Sequence, residues 1–192
     1  MLTVYTFDRN RLVRQVLEEG DAVPAAALWL DLLNPAADEK HRVDQALGLD
    51  TPTREEMEEI EVSSRLYQED GALFMTAMIL SRADTDDPRS TAVTFILSDA
   101  RLVTLRHDEP RSFRLFAARA QRYQSDLRRG ELVLTGLLEA IVDRTADILE
   151  RVGSDLDAVS REVFAPPRRG RDFHESLRRI GRIGDLGSKV QE

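Results

Sequence analysis

The side chains best suited to chemistry in this sequence are the glutamates of the acidic stretch between Thr53 and Glu61. Glu55, Glu58 and Glu59 are three or four residues apart, so a helix would place them on one surface, where like charges repel. A divalent cation would relieve that repulsion, and Mg²⁺ binds carboxylate oxygens while keeping several of its waters. From composition alone a solvated helix face is favoured, and a weak Mg²⁺ site is the alternative.

Other kinds of active site have little support. The sequence contains no cysteine, which excludes disulfides, thiolate metal sites and cysteine nucleophiles. Its histidines, His41, His107 and His174, are far apart and belong to no catalytic motif, so surface or capping roles are favoured. There is also no glycine-rich phosphate loop. An enzyme is therefore the least supported class.

A second acidic cluster contains Asp84, Asp86 and Asp87. It lacks the glycine and the distal glutamate that a calcium-binding EF-hand loop requires. We therefore predict a solvated loop between two strands at this position.

The charge of the chain also limits its partners. The formal net charge is −8, and residues 1–90 hold 19 acidic against 9 basic side chains. This half should repel phosphate backbones, so no nucleic-acid partner is expected. No segment approaches the roughly 20 apolar residues that a membrane-spanning helix needs, and no signal peptide is visible. As given, the sequence predicts a soluble chain.

The first hundred residues alternate between strand-like and helix-like patterns, which indicates an α/β fold with a mixed sheet of about seven strands. The predicted strands are Leu2–Phe7, Leu12–Leu17, Ala27–Leu33, Ser63–Gln68, Ala72–Ser81, Thr91–Leu97 and Leu102–Arg106. One intervening helix is predicted to begin at a capping Asn34 and to end at Gly48. The other is predicted to begin at Thr53, where Glu56 completes a capping box.

After Pro110 the pattern is helical. Residues 131–164 predict one helix of roughly 50 Å, whose apolar stripe from Leu134 to Val163 would pack against a helix or the sheet. A last helix begins near Asp172 and meets no stop signal before Glu192, so we expect the chain to be truncated there. The predicted parts are an α/β domain (1–130), a long helix packed on it (131–165) and the start of a further helix (171–192).

Three segments in order resemble one protein family. They are LWLDLLNP (Leu28–Pro35), TREEMEEIEVSSRLYQEDGALFMTA (Thr53–Ala77) and STAVTFILSDARLVTLR (Ser90–Arg106). Together with the helical region that follows, they resemble the cytoplasmic domain of CorA-type magnesium transporters. The resemblance covers nearly the whole chain.

The resemblance implies a homopentameric, funnel-shaped transporter, in which a mixed sheet lies between helices and a stalk helix, here the truncated segment 171–192, leads to the membrane. The family's pore motif, Gly-Met-Asn, is absent from this sequence. In the family a regulatory metal lies between neighbouring subunits. Glu58 and Glu59 match an acidic pair of that site, with Glu59 in place of an aspartate. Asp143 resembles a further acidic position, and an opposing carboxylate is expected beyond Glu192.

The implied metal is Mg²⁺, weakly bound and regulatory, with Co²⁺, Ni²⁺ or Zn²⁺ as further candidates. The implied partner is the chain itself, on the cytoplasmic face of the inner membrane, while this chain alone is expected to be a monomer or small oligomer. Two other functions remain open. One is a zinc-transporting relative of the same family, and the other is an acidic interaction module that docks a partner helix on the stripe Leu134–Val163.

Overall fold

A computed structural model describes residues 1–59, 65–124, 126–164 and 173–191. The strands are β1 (Leu2–Asp8), β2 (Arg11–Val16), β3 (Ala27–Leu33), β4 (Leu66–Glu69), β5 (Ala72–Ser81), β6 (Arg89–Ser98) and β7 (Arg101–Arg106). The helices are α1 (Ala37–Leu47), α2 (Arg54–Met57), α3 (Arg111–Arg122), α4 (Gly130–Phe164) and α5 (Phe173–Gln191).

All seven strands form one sheet in the order β2-β1-β3-β7-β6-β5-β4. The central pair, β3 and β7, is parallel, and the other pairs of neighbours are antiparallel. The predicted mixed sheet of about seven strands is therefore confirmed, and β3 has the predicted bounds. Residues 63 and 64 of the fourth predicted strand lie outside the described residues.

Apolar side chains project from both faces of the sheet and form two cores, because successive residues of a strand point to opposite sides. On one face, Val43 of α1 and Met57 of α2 join the core. On the other, Phe116 of α3 and Leu137 of α4 join it. The sheet thus lies between helices, as predicted.

Two glycines set how closely α4 approaches its neighbours. A Cβ added at Gly130 would lie 2.5 Å from the backbone carbonyl carbon of Arg101, and one at Gly136 would lie 2.6 Å from Phe116 Cε2. Such distances are far shorter than a van der Waals contact, so a side chain at either position would push the helix away. Glycine therefore lets α4 begin against the β6–β7 turn and lie close to α3.

The start of α1 differs from the prediction. Asn34 does not cap the helix but adopts a positive φ of 43°, and α1 begins at Ala37 with Ala36 as its N-cap. The carboxylate of Glu39 accepts the Ala36 N–H at 2.9 Å, which satisfies a donor that an Asn34 side chain was expected to satisfy. The predicted end at Gly48 is confirmed.

The helix α4 has 35 residues and extends for about 50 Å. The apolar stripe predicted along it divides between buried and exposed positions. Buried members include Leu134, Ile148 and Val159, and exposed members include Leu138, Leu156 and Val163. The start predicted for the last helix, near Asp172, lies outside the described residues.

Candidate metal centre

A capping box fixes the start of the acidic stretch. Thr53 Oγ1 accepts the N–H of Glu56 at 3.2 Å, and the Thr53 N–H donates to Glu56 Oε2 at 2.7 Å. The hydrogen bonds that Thr53 donates to the Glu56 carboxylate lower the pKa of Glu56, and the bond from the Thr53 backbone has the larger effect. Glu56 is thus occupied in holding the helix, and the predicted capping box is confirmed.

The helix α2 has a single turn, and Glu58 is already its C-cap. Its anchor is Met57, which is 3% exposed in the core. Glu58 Oε1 lies 2.9 Å from Nε of Arg54, and both side chains of this pair are more than half exposed. Glu55 and Glu59 are exposed, and neither forms an ion pair within the described part of the chain.

A histidine lies within electrostatic range of this turn. Burial, and then the positive charge of Arg54, lower the pKa of His107, while Glu58 raises it. Because its neutral form is favoured, His107 adds no positive charge to the neighbourhood of Glu58 near pH 7.

Asp143 lies elsewhere, on the exposed side of α4. It borders a cavity of about 400 Å³ between α3 and α4, whose wall also contains Arg119, Arg122 and Arg144. The positive charges of these guanidinium groups repel a cation from this cavity.

The structure does not bring the predicted metal ligands together in one chain. Glu58 and Glu59 follow Met57, which packs on one face of the sheet, whereas α4, which carries Asp143, packs on the other. Among residues 1–59, 65–124, 126–164 and 173–191, no three His, Asp or Glu side chains are grouped so that they could hold a metal ion.

The second acidic cluster lies, as predicted, in an exposed loop between two strands, but Asp84 within it is held by the rest of the chain. Asp84 accepts hydrogen bonds from three arginines: Arg111 at 2.7 Å, Arg144 at 2.7 Å and Arg151 at 2.6 Å. Partial burial alone would raise the pKa of Asp84, but these bonds outweigh it and hold the pKa well below its usual range. We call these four residues the Asp84 hub.

The same loop also holds α5. Asp86 Oδ1 accepts a hydrogen bond from Arg182 Nη1 at 2.8 Å. The loop, α4 and α5 enclose a cavity of about 320 Å³, with Arg151 and Asp155 of α4 in its wall. The loop between β5 and β6 therefore joins three helices to the sheet by ion pairs.

A buried ion pair joins the two parallel strands at the centre of the sheet. Arg106 donates from Nε and Nη2 to the two carboxylate oxygens of Asp31, at 2.9 and 2.7 Å. Thr104 Oγ1 donates to Asp31 Oδ1 at 2.8 Å and accepts the indole N–H of Trp29 at 2.9 Å. Asp31 and Arg106 are each only 4% exposed.

Sequence reasoning missed both arrangements. The buried pair had a visible signal, since Asp31 and Arg106 carry opposite charges inside two apolar segments that were both predicted as strands. The Asp84 hub had none, because its arginines come 27, 60 and 67 residues after Asp84.

No helix of the described residues combines the length and the apolar character that crossing a bilayer requires. The three histidines lie on α1, directly after β7, and on α5. The features of the described residues that bear on function are therefore the fold, the exposed acidic turn, the Asp84 hub and the Asp31–Arg106 pair.

Comparison with known proteins defines the class. The sequence profile described as "CorA-like Mg2+ transporter protein" matches residues 24–184. This match covers most of the chain and therefore shows its family. The chain belongs to the CorA family.

The magnesium transport protein CorA of Escherichia coli K12 is 33% identical over 191 residues, which cover 100% of this chain and 60% of that protein. The complete CorA magnesium transporter of Methanocaldococcus jannaschii matches with a TM-score of 0.66 at 15% identity, over 98% of this chain and 57% of that one. The cytoplasmic domain of ZntB from Vibrio parahaemolyticus matches with a TM-score of 0.57 at 8% identity, over 100% and 90%. At such identities the two structures show a shared fold alone.

Proposed function

We propose that this chain is the cytoplasmic regulatory part of a homopentameric magnesium transporter, and that it binds divalent cations between subunits to gate the pore. Membership of the CorA family and the similarity to the E. coli magnesium transport protein support this function. The chain spans 60% of that relative, so transport belongs to the whole protein. The observation that carries the proposal is the exposed, poorly compensated carboxylate pair at Glu58 and Glu59.

The charges of the acidic turn suit a weak divalent site. Glu55, Glu58 and Glu59 are exposed within five residues of sequence, and among the described residues Arg54 pairs with Glu58 alone. Mg²⁺ binds to carboxylate oxygens through few protein ligands and retains waters, which suits such an exposed site. An affinity of about 10⁻⁴ to 10⁻³ M, as in weak extracellular Ca²⁺ sites, would let occupancy follow changes in free metal.

The placement of Asp143 supports a site shared between subunits. Glu58 and Glu59 lie on one side of the sheet, and Asp143 lies on a helix of the other. A ring of subunits uses head-to-tail contacts, in which two different surfaces of each subunit meet. Such a ring could bring the acidic turn of one subunit to a carboxylate of its neighbour, although the arginines beside Asp143 make Glu58 and Glu59 the stronger ligands.

The gating follows from linkage. A cation that has more ligands in a closed, symmetric ring than in a splayed one stabilises the closed ring by the difference in binding free energy. When free Mg²⁺ falls, carboxylates that face each other without a cation repel, and the ring opens. Uptake is then driven by the membrane potential, at about 2.3 kcal/mol per charge per 100 mV.

Limited proteolysis of the full-length transporter tests this function, with and without about 10 mM Mg²⁺, a concentration above that of a millimolar site. We expect Mg²⁺ to slow cleavage of the unsubstituted protein and to have no effect on the double variant Glu58→Ala/Glu59→Ala. The matched control is Glu69→Ala/Asp70→Asn, which removes two exposed acidic charges at the β4–β5 turn and keeps a side chain that tolerates the positive φ of position 70. Absence of Mg²⁺ protection in the unsubstituted protein, or its persistence without Glu58 and Glu59, would overturn the proposal.

A further inference from the structure

The helix α4 carries an apolar ridge that faces solvent. Val142, Leu149, Leu156 and Val163 follow one another at steps of seven residues, and they are 65%, 48%, 50% and 38% exposed. A step of seven drifts by only about 20° around a helix, so these side chains form one continuous row. The row extends for about 32 Å, since each residue adds 1.5 Å. Four large apolar side chains aligned in this way are unlike the scattered exposed residues of an ordinary surface.

A second row runs beside the first. Ala146, Gly153 and Ser160, all exposed, lie four residues after successive members of the apolar row and three before the next. Alternating steps of four and three are the pattern by which one helix packs along another in a coiled coil. We call the two rows together the α4 seam.

Gly153 makes the seam more than a surface pattern. A glycine inside a helix costs about 1 kcal/mol relative to alanine. A Cβ added at Gly153 would meet no heavy atom within 4 Å, so no described part of the chain explains its absence. Close approach of another helix backbone would explain it, because a missing side chain permits that approach.

The edge of the seam determines the chemistry of the partner. Asp143, Glu150 and Asp157 each follow a member of the apolar row and are exposed. None of them takes part in an ion pair among the described residues, but three arginines line the same cavity as Asp143, so Glu150 and Asp157 are the less compensated members of the row. Lysine or arginine side chains at the edge of a docked helix would compensate these charges. An antiparallel α4 of a second copy would instead bring an equal acidic row against them, which is repulsive.

We propose that the α4 seam docks a partner α-helix that has an apolar heptad row and a basic edge. The apolar row supplies the contact area, Gly153 permits close approach, and the acidic row selects basic partners over acidic ones. The contact involves one face of one helix, so its area is at the low end for specific complexes. We therefore expect docking to be reversible.

Two synthetic helical peptides of 22 residues test the seam by fluorescence anisotropy with the 192-residue chain. Both have leucine at heptad spacing, one has lysine along its edges, and the other has glutamate in place of each lysine. We expect the lysine peptide to bind at least tenfold more tightly, with a difference that shrinks as salt is raised. Equal binding of the two peptides, or binding of neither, would refute the proposal.

Variants of the chain locate the binding. In Gly153→Leu the new side chain occupies the space through which a partner helix would approach α4, so we expect at least tenfold weaker binding of the lysine peptide. Because a Cβ at this position meets no other atom of the chain, we expect the Tm to be unchanged or raised. Ser154→Leu, exposed but outside both rows, is the control and should bind as the unsubstituted chain does. Unaltered binding by Gly153→Leu would exclude the seam. Sedimentation tests whether the chain associates with itself. Self-association that Gly153→Leu abolishes would identify a second copy as the occupant of the seam and overturn the proposal of a basic partner helix.

Discussion

Asp84 and the pair Glu58–Glu59 are acidic residues in surface segments, but the chain compensates their charges very differently. The carboxylate of Asp84 lies within 2.7 Å of three arginines from two helices. Glu58 has one arginine, four residues earlier on the same turn, and Glu59 has no ion pair among the described residues. The two regions thus differ in how much the rest of the molecule depends on their charge.

This difference separates structural from available carboxylates. A carboxylate with several fixed cationic partners is part of the fold, and a metal ion would have to displace those partners. One with a single exposed partner contributes little to folding and remains free to bind a cation. By this criterion Asp84 and the buried Asp31 are structural, whereas Glu58 and Glu59 are available. The following predictions test this division.

The largest effect is expected at the buried pair of the central strands. Asp31→Asn leaves the guanidinium of Arg106, which is 4% exposed, without its anionic partner. Breaking a buried pair from one side typically costs about 3 to 5 kcal/mol, because the remaining charge is buried without compensation. Urea denaturation of the unsubstituted chain and the variant measures this loss of stability.

The double variant Asp31→Leu/Arg106→Met is the control for that loss. Replacing both partners by apolar side chains of similar volume is often nearly neutral, since no charge remains buried. We expect this variant to be more stable than Asp31→Asn. If the double variant were instead the less stable of the two, the cost would lie in packing and not in the uncompensated charge.

The Asp84 hub should show a smaller loss. Asp84→Asn removes the shared anion of three arginines, and Arg144 is the most buried of them at 12% exposed. Because Asp84 is 36% exposed, solvent screens much of the effect, and we expect a loss of about 1 to 2 kcal/mol in urea denaturation. Asp87→Asn, which breaks an exposed pair with Arg89 alone, should cost less than about 0.5 kcal/mol. Equal losses at the two positions would remove the distinction between a hub and an ordinary surface pair.

The pH dependence of stability gives a further test of the hub. Three arginines hold the pKa of Asp84 below the value of about 3.9 expected in the unfolded chain. A lowered pKa in the folded state adds stability above pH 3.9 or so, and this contribution is lost as pH falls through the folded pKa. The gap in stability between the unsubstituted chain and Asp84→Asn should therefore narrow below about pH 4. A constant gap in urea unfolding from pH 5 to 2.5 would show that charge is not its cause.

The sequence predicted local features well. The bounds of β3, the capping box at Thr53 and the end of α1 at Gly48 all depend on residues near one another in the chain, and the structure confirms them. The CorA-family fold was also predicted, from three ordered segments, and is confirmed by the family match.

Features that join distant residues could not be predicted in this way. The cap of α1 was placed wrongly because Glu39, and not Asn34, satisfies its first donor. The arginine partners of Asp84 were not predicted, because nothing near it in sequence shows that α3 and α4 bring arginines to this exposed loop. The roles of Glu58, Glu59 and Asp143 stay predictions, since a site between subunits depends on surfaces that one chain does not contain.

The smallest effect is expected at the proposed metal ligands. Glu58→Gln/Glu59→Gln removes an exposed pair between Arg54 and Glu58, and such pairs within one helix turn contribute about 0.3 to 0.5 kcal/mol. It also relieves repulsion among the glutamates of the turn, which offsets part of that loss. The stability of the metal-free chain in urea should therefore change by less than about 0.5 kcal/mol in either direction. A loss of more than about 1 kcal/mol in the free energy of unfolding would show that the fold requires Glu58 and Glu59, as it requires Asp84. With that result they would no longer be free ligands, and the proposed metal site would lose the observation that carries it.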